Sequence, residues 1–365
     1  MSKSKLFLLD GMALAYRSYY AFINSNLKNS EGIPTGPILG FANALVKMLE
    51  EEEPTHIAVA WDTSAPTFRH EMDEEYKANR PPQPEDLRVG IPLIKEMVEA
   101  FGMKNIEKDG FEADDVIGTI ADRANAEDVN VFLVTPDKDF MQLVHDHVTM
   151  YKPQNNGDGF KLIDREGVKE YFGVYPEKVI DVLAMIGDTS DNIPGVPGIG
   201  KKGAPKLIKK YGSLEAAIED AENISGKRAR EGLTNHGEQA LKSKIMVTIE
   251  TSVPDIIEWE ELEWSGPEKE TLAKFFKRME FTSIISRFLG DEYLTLEAED
   301  SQGDLFQQAA SEGDRVFSHY EEGTVSYSLV DTEDKLKALA ERLEKFNAFS
   351  FDTETTGTDP MQARL

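Results

Sequence analysis

The chain has 365 residues, a length that suits two or three domains, and its 40% hydrophobic content is enough for ordinary cores. It carries 67 acidic against 40 basic residues, a formal charge of −27, and no cysteine. The charge argues against simple nucleic-acid binding through a uniformly basic surface, and the lack of thiols excludes disulfides and thiolate zinc sites. No apolar run approaches the roughly eighteen residues of a membrane-spanning helix. The start, Met1-Ser2-Lys3-Ser4-Lys5, leads into an apolar stretch too short for a signal-peptide core. A soluble, cytosolic, monomeric protein is expected.

In chain order, the first part alternates strand and helix. Strands are predicted at Lys5–Leu9, His56–Trp61, Lys104–Glu107 and Val129–Val134, and helices at Met12–Ile23, Pro37–Glu51, Glu85–Phe101 and Glu112–Asn125. This is the α/β pattern, a mainly parallel central sheet flanked by helices, over residues 1–175. The alternation breaks between about 65 and 85, where Pro66-Thr67-Phe68-Arg69-His70 and Tyr76-Lys77-Ala78-Asn79-Arg80 are too polar for a core strand. That segment reads as an excursion, an arch over the strand-end face, or else as an ordinary charged loop.

From Pro176 the pattern turns helical, with helices predicted at Pro176–Ile186, Ala204–Tyr211, Leu214–Asp220, Lys227–Asn235, Glu238–Glu250 and Pro267–Phe276, making a subdomain over 176–290. Among them lies Ile193-Pro194-Gly195-Val196-Pro197-Gly198-Ile199-Gly200-Lys201-Lys202-Gly203. Gly195, Gly198 and Gly200 allow backbone amides close to a phosphate, and Lys201, Lys202 and Lys206 add charge. This is the pattern of a helix–hairpin–helix element, which grips a duplex backbone without reading bases. Residues 291–323 are acidic and aperiodic, as in a linker. A strand at Thr324–Leu329, a helix at Glu333–Lys345 and a strand at Ala348–Phe351 then begin a further domain, 324–365, expected to be truncated.

The chemistry lies in the acids. Asp10 and Asp62 end apolar runs of buried-strand type, Glu112, Asp114 and Asp115 open a helix, and Asp137, Asp139, Asp188 and Asp191 sit in loops. One such aspartate is usually a cap or a solvated charge. Nine, most of them at strand ends or helix starts, would repel one another. Hard divalent cations with oxygen ligands relieve that repulsion, and paired cations of this kind hydrolyse phosphodiesters.

These residues name a family. The chain resembles the N-terminal 5′-nuclease domain, or flap endonuclease, of the bacterial DNA polymerase I family. The resemblance runs through Leu9-Asp10-Gly11, Ala15-Tyr16-Arg17, Pro66 to His70, Tyr76 to Arg80, Glu112-Ala113-Asp114-Asp115, Asp137-Lys138-Asp139, Gly187-Asp188, Ser190-Asp191-Asn192 and Gly195 to Lys201, in family order. Phe351-Asp352-Thr353-Glu354-Thr355 resembles the first motif of the 3′→5′ exonuclease domain that follows.

The resemblance implies a first Mg2+ held by Asp10, Asp62, Glu112 and Asp114, and a second by Asp137, Asp139, Asp188 and Asp191. Asp115 would support between them, and Mn2+ could substitute. It implies that Lys77 and Arg80 contact the scissile phosphate, with Arg17 and Arg69 as further phosphate contacts. Tyr76 is read as stacking on an unpaired base or as packing at the arch base. The implied partners are DNA with 5′ flaps, nicks or 5′ ends, and RNA primers. The rival readings are a stand-alone 5′ nuclease and a non-catalytic DNA-junction-binding protein.

Overall fold

β1 (Lys5–Asp10) runs through the middle of a six-stranded sheet of order β3-β2-β1-β4-β5-β6. Its residues are apolar on both faces because helices cover both sides of the sheet. Phe7 and Leu9 pack with Ile57, Val59 and Trp61 against α1 (Gly11–Phe22), α2 (Gly36–Glu52), α4 (Glu85–Ala100) and α11 (Lys269–Arg278). Leu6 and Leu8 pack with Ala58 and Ala60 against α5 (Ala113–Ala126). The computed structural model describes residues 4–127, 129–154, 159–295 and 332–343.

β2 (His56–Ala60), β3 (Lys104–Ile106), β4 (Asn130–Val134) and β5 (Val148–Pro153) run parallel to β1, and β6 (Phe160–Ile163) pairs antiparallel with β5. The chain leaves β1 toward β2 on one side and returns to β4 on the other. The crevice at such a reversal, beyond the carboxyl ends of the strands, is where open α/β sheets bind ligands. Register then decides which residues meet there. Leu9 pairs with Val134 and Asp10 with Ala60, so Asp10, Thr135 and Asp62 all emerge on that edge.

Gly11 is required at this point. A Cβ there would lie 2.6 Å from the Trp61 indole, which fills the space between the two strand ends. α5 is capped reciprocally: the Glu112 side chain accepts from the amide of Asp115, and the Asp115 side chain accepts from that of Glu112. The capping fixes Asp114 on the first turn.

The predicted arch is helical only over α3 (Phe68–Met72); turns carry the chain from Asp73 to Pro84. Pro81, Pro82 and Pro84 cannot donate helical hydrogen bonds. The β5–β6 hairpin and α6 (Arg165–Phe172) escaped the sequence reading; α6 is capped by Asp164 Oδ1 accepting from the Gly167 amide at 2.9 Å.

The helices beyond form their own cluster: α7 (Val179–Ile186), α8 (Ala204–Tyr211), α9 (Leu214–Glu219) and α10 (Lys227–Val247). The two helices expected over 227–250 are the two halves of α10, divided by a non-helical kink at His236 (φ −127°, ψ 17°), which falls between the expected helices. After Val247 the chain returns to the α/β body, where Ile249, Val253, Ile256 and Leu262 pack beside α5 and Leu272, Phe275 and Phe276 join the α2–α4 cluster.

The chain divides into units Met1–Asp300 and Ser301–Leu365. In the second, the helix Glu333–Leu343 lies among the described residues. The strands expected at 324–329 and 348–351, most of the 291–323 linker, and Asp352 and Glu354 lie outside them.

Candidate active site

Five elements aim carboxylates at the crevice. Asp10, 5% exposed, caps α1: its Oδ1 accepts from the Ala13 amide at 3.0 Å and its Oδ2 from Thr135 Oγ1 at 2.8 Å. Asp62 Oδ1 accepts from the Ala113 amide at 2.8 Å, tying the end of β2 to the start of α5. Burial, with Asp62 and Asp137 adding repulsion, pushes Asp10 up to about 7. Asp114 is pushed well above the carboxylate range by burial and then by Asp10, Asp137, Asp62 and Glu112. Asp139 is pushed up to about 7 by burial and by Asp137, despite Lys138. Like charges forced together in this way are what a cation relieves.

Cationic side chains already share the site. Lys77 donates to Glu112 Oε1 at 2.6 Å, Arg80 to Asp191 Oδ1 at 2.5 Å, and Lys138 to Asp188 Oδ2 at 2.6 Å. Burial pushes Asp188 up, but Lys138 outweighs it and holds the carboxyl below its usual range. Burial likewise opposes the charge on Lys77, and Glu112 and Asp191 overcome it.

Among the described residues no three acidic side chains form a preassembled coordination shell, because these contacts draw several of them toward lysine and arginine. The donor set nevertheless fits a hard divalent ion. It is all oxygen, it is over-charged at Asp10, Asp114 and Asp139, and the buried Asp139 Oδ1 lies 3.1 Å from the Lys138 ammonium without making a hydrogen bond.

The arch closes on the loop between α7 and the hairpin. The amide of Lys77, at φ +56°, donates to the Asp191 carbonyl at 3.0 Å, Asn79 to the Thr189 carbonyl at 2.6 Å, and Asn192 to the Glu75 carbonyl at 2.7 Å. The hydroxyl of Tyr76, which is 3% exposed, reaches Glu112 at 3.1 Å and Asp191 at 3.3 Å. Its ring is therefore packed at the arch base and is not offered to a base.

Arg69 corrects the sequence reading more strongly. It is 2% exposed and grips Asp115 with two bonds, of 2.7 and 2.8 Å. Two further donors go to the Met246 and Thr248 carbonyls at 2.9 and 2.7 Å, and its Nη1 lies 3.5 Å from Glu112 Oε2. It binds α3, α5 and the end of α10 together and presents nothing to a phosphate. Asp115, wholly buried, also accepts from the amides of Glu112 and Glu250, at 3.1 and 2.8 Å, so its oxygens are taken. It supports the site through Arg69 and does not face a metal.

Arg17 donates to the Gln154 carbonyl beside a cleft of about 710 Å3 between α1, α2 and the β5–β6 hairpin.

Two hairpin glycines also turn out to serve packing. A Cβ on Gly195 would lie 2.1 Å from the Ile186 carbonyl oxygen, and one on Gly198, at φ +85°, 2.9 Å from that of Arg228. Gly200 faces open space, and Lys201, Lys202 and Lys206 are exposed around it.

The family description 5′-3′ exonuclease, N-terminal resolvase-like domain, matches residues 5–173, and that of the 5′-3′ exonuclease C-terminal SAM fold matches 174–270. The chain belongs to the 5′-3′ exonuclease family. DNA polymerase I of Bacillus subtilis is 39% identical over 303 residues, covering 83% of this chain and 34% of its own. DNA polymerase I of Pseudomonas aeruginosa is 36% identical and covers all of this chain and 38% of its own. The chain spans about a third of the length of the curated relatives it matches.

Among solved structures, the T5 5′-exonuclease with bound zinc superposes with a TM-score of 0.59 at 22% identity, over 76% of this chain and 98% of that one. The catalytic core of Rad2 in complex with DNA gives 0.53 at 16%, over 78% and 93%. These two likenesses show the fold.

In this crevice, the sequence reading passed over two residues. Thr135, 1% exposed, bridges Asp10 to the Asp137 amide, its Oγ1 accepting from that amide at 3.1 Å. Its signal was a hydroxyl directly after a buried strand. Lys138 lies inside a quoted motif, but only the fold shows its contact with Asp188, fifty residues away.

Proposed function

We propose that the chain hydrolyses phosphodiester bonds at 5′ ends and 5′ flaps of DNA, with two Mg2+ ions, as the 5′-nuclease part of a DNA polymerase I acting in primer removal and repair. The observation that carries this reading is the gathering of Asp10, Asp62, Asp114, Asp137 and Asp139 at one sheet edge, with three of them pushed above the carboxylate range.

Asp10, Asp62, Glu112 and Asp114 would hold the first ion, and Asp137, Asp139, Asp188 and Asp191 the second. Bound there, the ions supply Lewis acidity, lowering the pKa of a water and neutralising charge on the phosphate. The protein's own residues do the rest. Thr135 orients Asp10 and the turn at Asp137. Lys77 and Arg80, paired with Glu112 and Asp191, stand at the rim, where phosphate oxygens compete for them as charge develops. Lys201, Lys202 and Lys206 hold the duplex by its backbone, as backbone contacts position without reading sequence.

The test is cleavage of a synthetic 5′-flap duplex in Mg2+ and in chelator, beside a matched 3′-flap duplex. Mg2+-dependent release of the 5′ flap alone, leaving a 5′-phosphate, is expected. Equal cleavage in chelator, or no cleavage of either substrate, would contradict the reading.

A further inference from the structure

Asp137-Lys138-Asp139 places an ammonium between two acids, and the fold brings a third against it. Lys138 Nζ lies 2.6 Å from Asp188 Oδ2 and 3.1 Å from Asp139 Oδ1, with only 28% of its side chain exposed. Asp139 and Asp188 come from different parts of the chain, the turn after β4 and the loop after α7, and Lys138 is the cation that spans them. A divalent ion bridging the same two carboxylates would sit within a few ångströms of that ammonium. Two cations so close repel strongly when partly buried.

The side chain has somewhere to go. A cleft of about 370 Å3, lined by Lys138, Tyr171, Ile186, Asp188 and Lys201 among others, opens beside it.

We propose that Lys138 is a tethered counter-ion that holds Asp139 and Asp188 together and competes directly with a divalent ion for them. Metal affinity at this half of the site is then set by a lysine as well as by the acids, and Lys138 is a positioning residue. The inference rests on the reading of Asp139 and Asp188 as metal ligands.

Isothermal titration of Mn2+ into the full chain, with circular dichroism to verify folding, tests both ideas separately. Lys138→Met and, as a second neutral variant, Lys138→Gln are expected to bind Mn2+ with Kd lowered by roughly tenfold. Lys138→Arg, which keeps the charge, is expected to stay near wild type. The Asp139→Asn/Asp188→Asn double variant is expected to lose that binding. Unchanged or weaker Mn2+ binding by folded Met and Gln variants, beside a wild type that binds, overturns the role of Lys138 alone. A wild type and double variant that titrate alike overturn the metal reading of these acids, and the counter-ion role with it.

Discussion

At the residue scale, the crowded acids make stability depend on pH in a definite sense. Asp139 has a folded pKa near 7 against an unfolded value near 4. A carboxyl raised in this way favours the fold while protonated, and that contribution is lost as pH rises from about 4 to about 7. Asp139→Asn should therefore gain thermal stability relative to wild type, in chelator, as pH rises through that window. A gap that stays constant or shrinks would show that burial and Asp137 do not raise Asp139 in the folded protein. Arg69 behaves oppositely. Arg69→Met leaves Asp115 buried with its charge unpaired, and urea unfolding should show a loss of about 3–5 kcal/mol. A loss below about 1 kcal/mol, as for an exposed pair, would remove it as the tie between α3, α5 and α10.

Elements differ in how plainly the sequence announces them. The strands that carry Asp10 and Asp62 were legible because both faces of the sheet are covered, which makes each a short, continuous apolar run. β6 was not, because it is an edge strand whose Lys161 and Leu162 are both exposed, leaving little apolar pattern. Arg69 misled because an arginine in a polar segment looks alike whether it awaits a phosphate or a buried aspartate 46 residues away; only the docking of α3 on α5 decides.

The hairpin glycines were legible as a motif but not by role, since a packed glycine and a phosphate-facing one share the same letter. The structure separates them in a testable way. Gly198→Ala meets the Arg228 backbone at a positive φ and should destabilise the protein measurably. Gly200→Ala enters open space, so it should leave stability unchanged and weaken duplex affinity if the amide there approaches a phosphate. Lys201→Ala with Lys202→Ala should weaken duplex binding and reduce the slope of log affinity against log salt by about one to two. An unchanged slope in a fluorescence-anisotropy titration would take the hairpin lysines out of the DNA contact.

At the scale of the whole molecule, the folded nuclease body includes the segment after Gly290, because Tyr293 packs against the main core cluster. Ending the chain after Thr295 should leave 5′-flap cleavage unchanged, whereas a loss would mean that later residues contribute to the site. The same body brings acids from β1, β2, α5, β4 and the α7 loop to one crevice, and the central claim is that this crevice is a metal-dependent 5′-nuclease centre. The most direct measurement is single-turnover cleavage and equilibrium binding of one 5′-flap duplex by wild type and Asp114→Ala in Mg2+. Cleavage should fall by about a thousandfold, several kcal/mol of transition-state stabilisation, while affinity for the flap stays close to wild type. Near-normal cleavage by a folded Asp114→Ala protein would contradict the account.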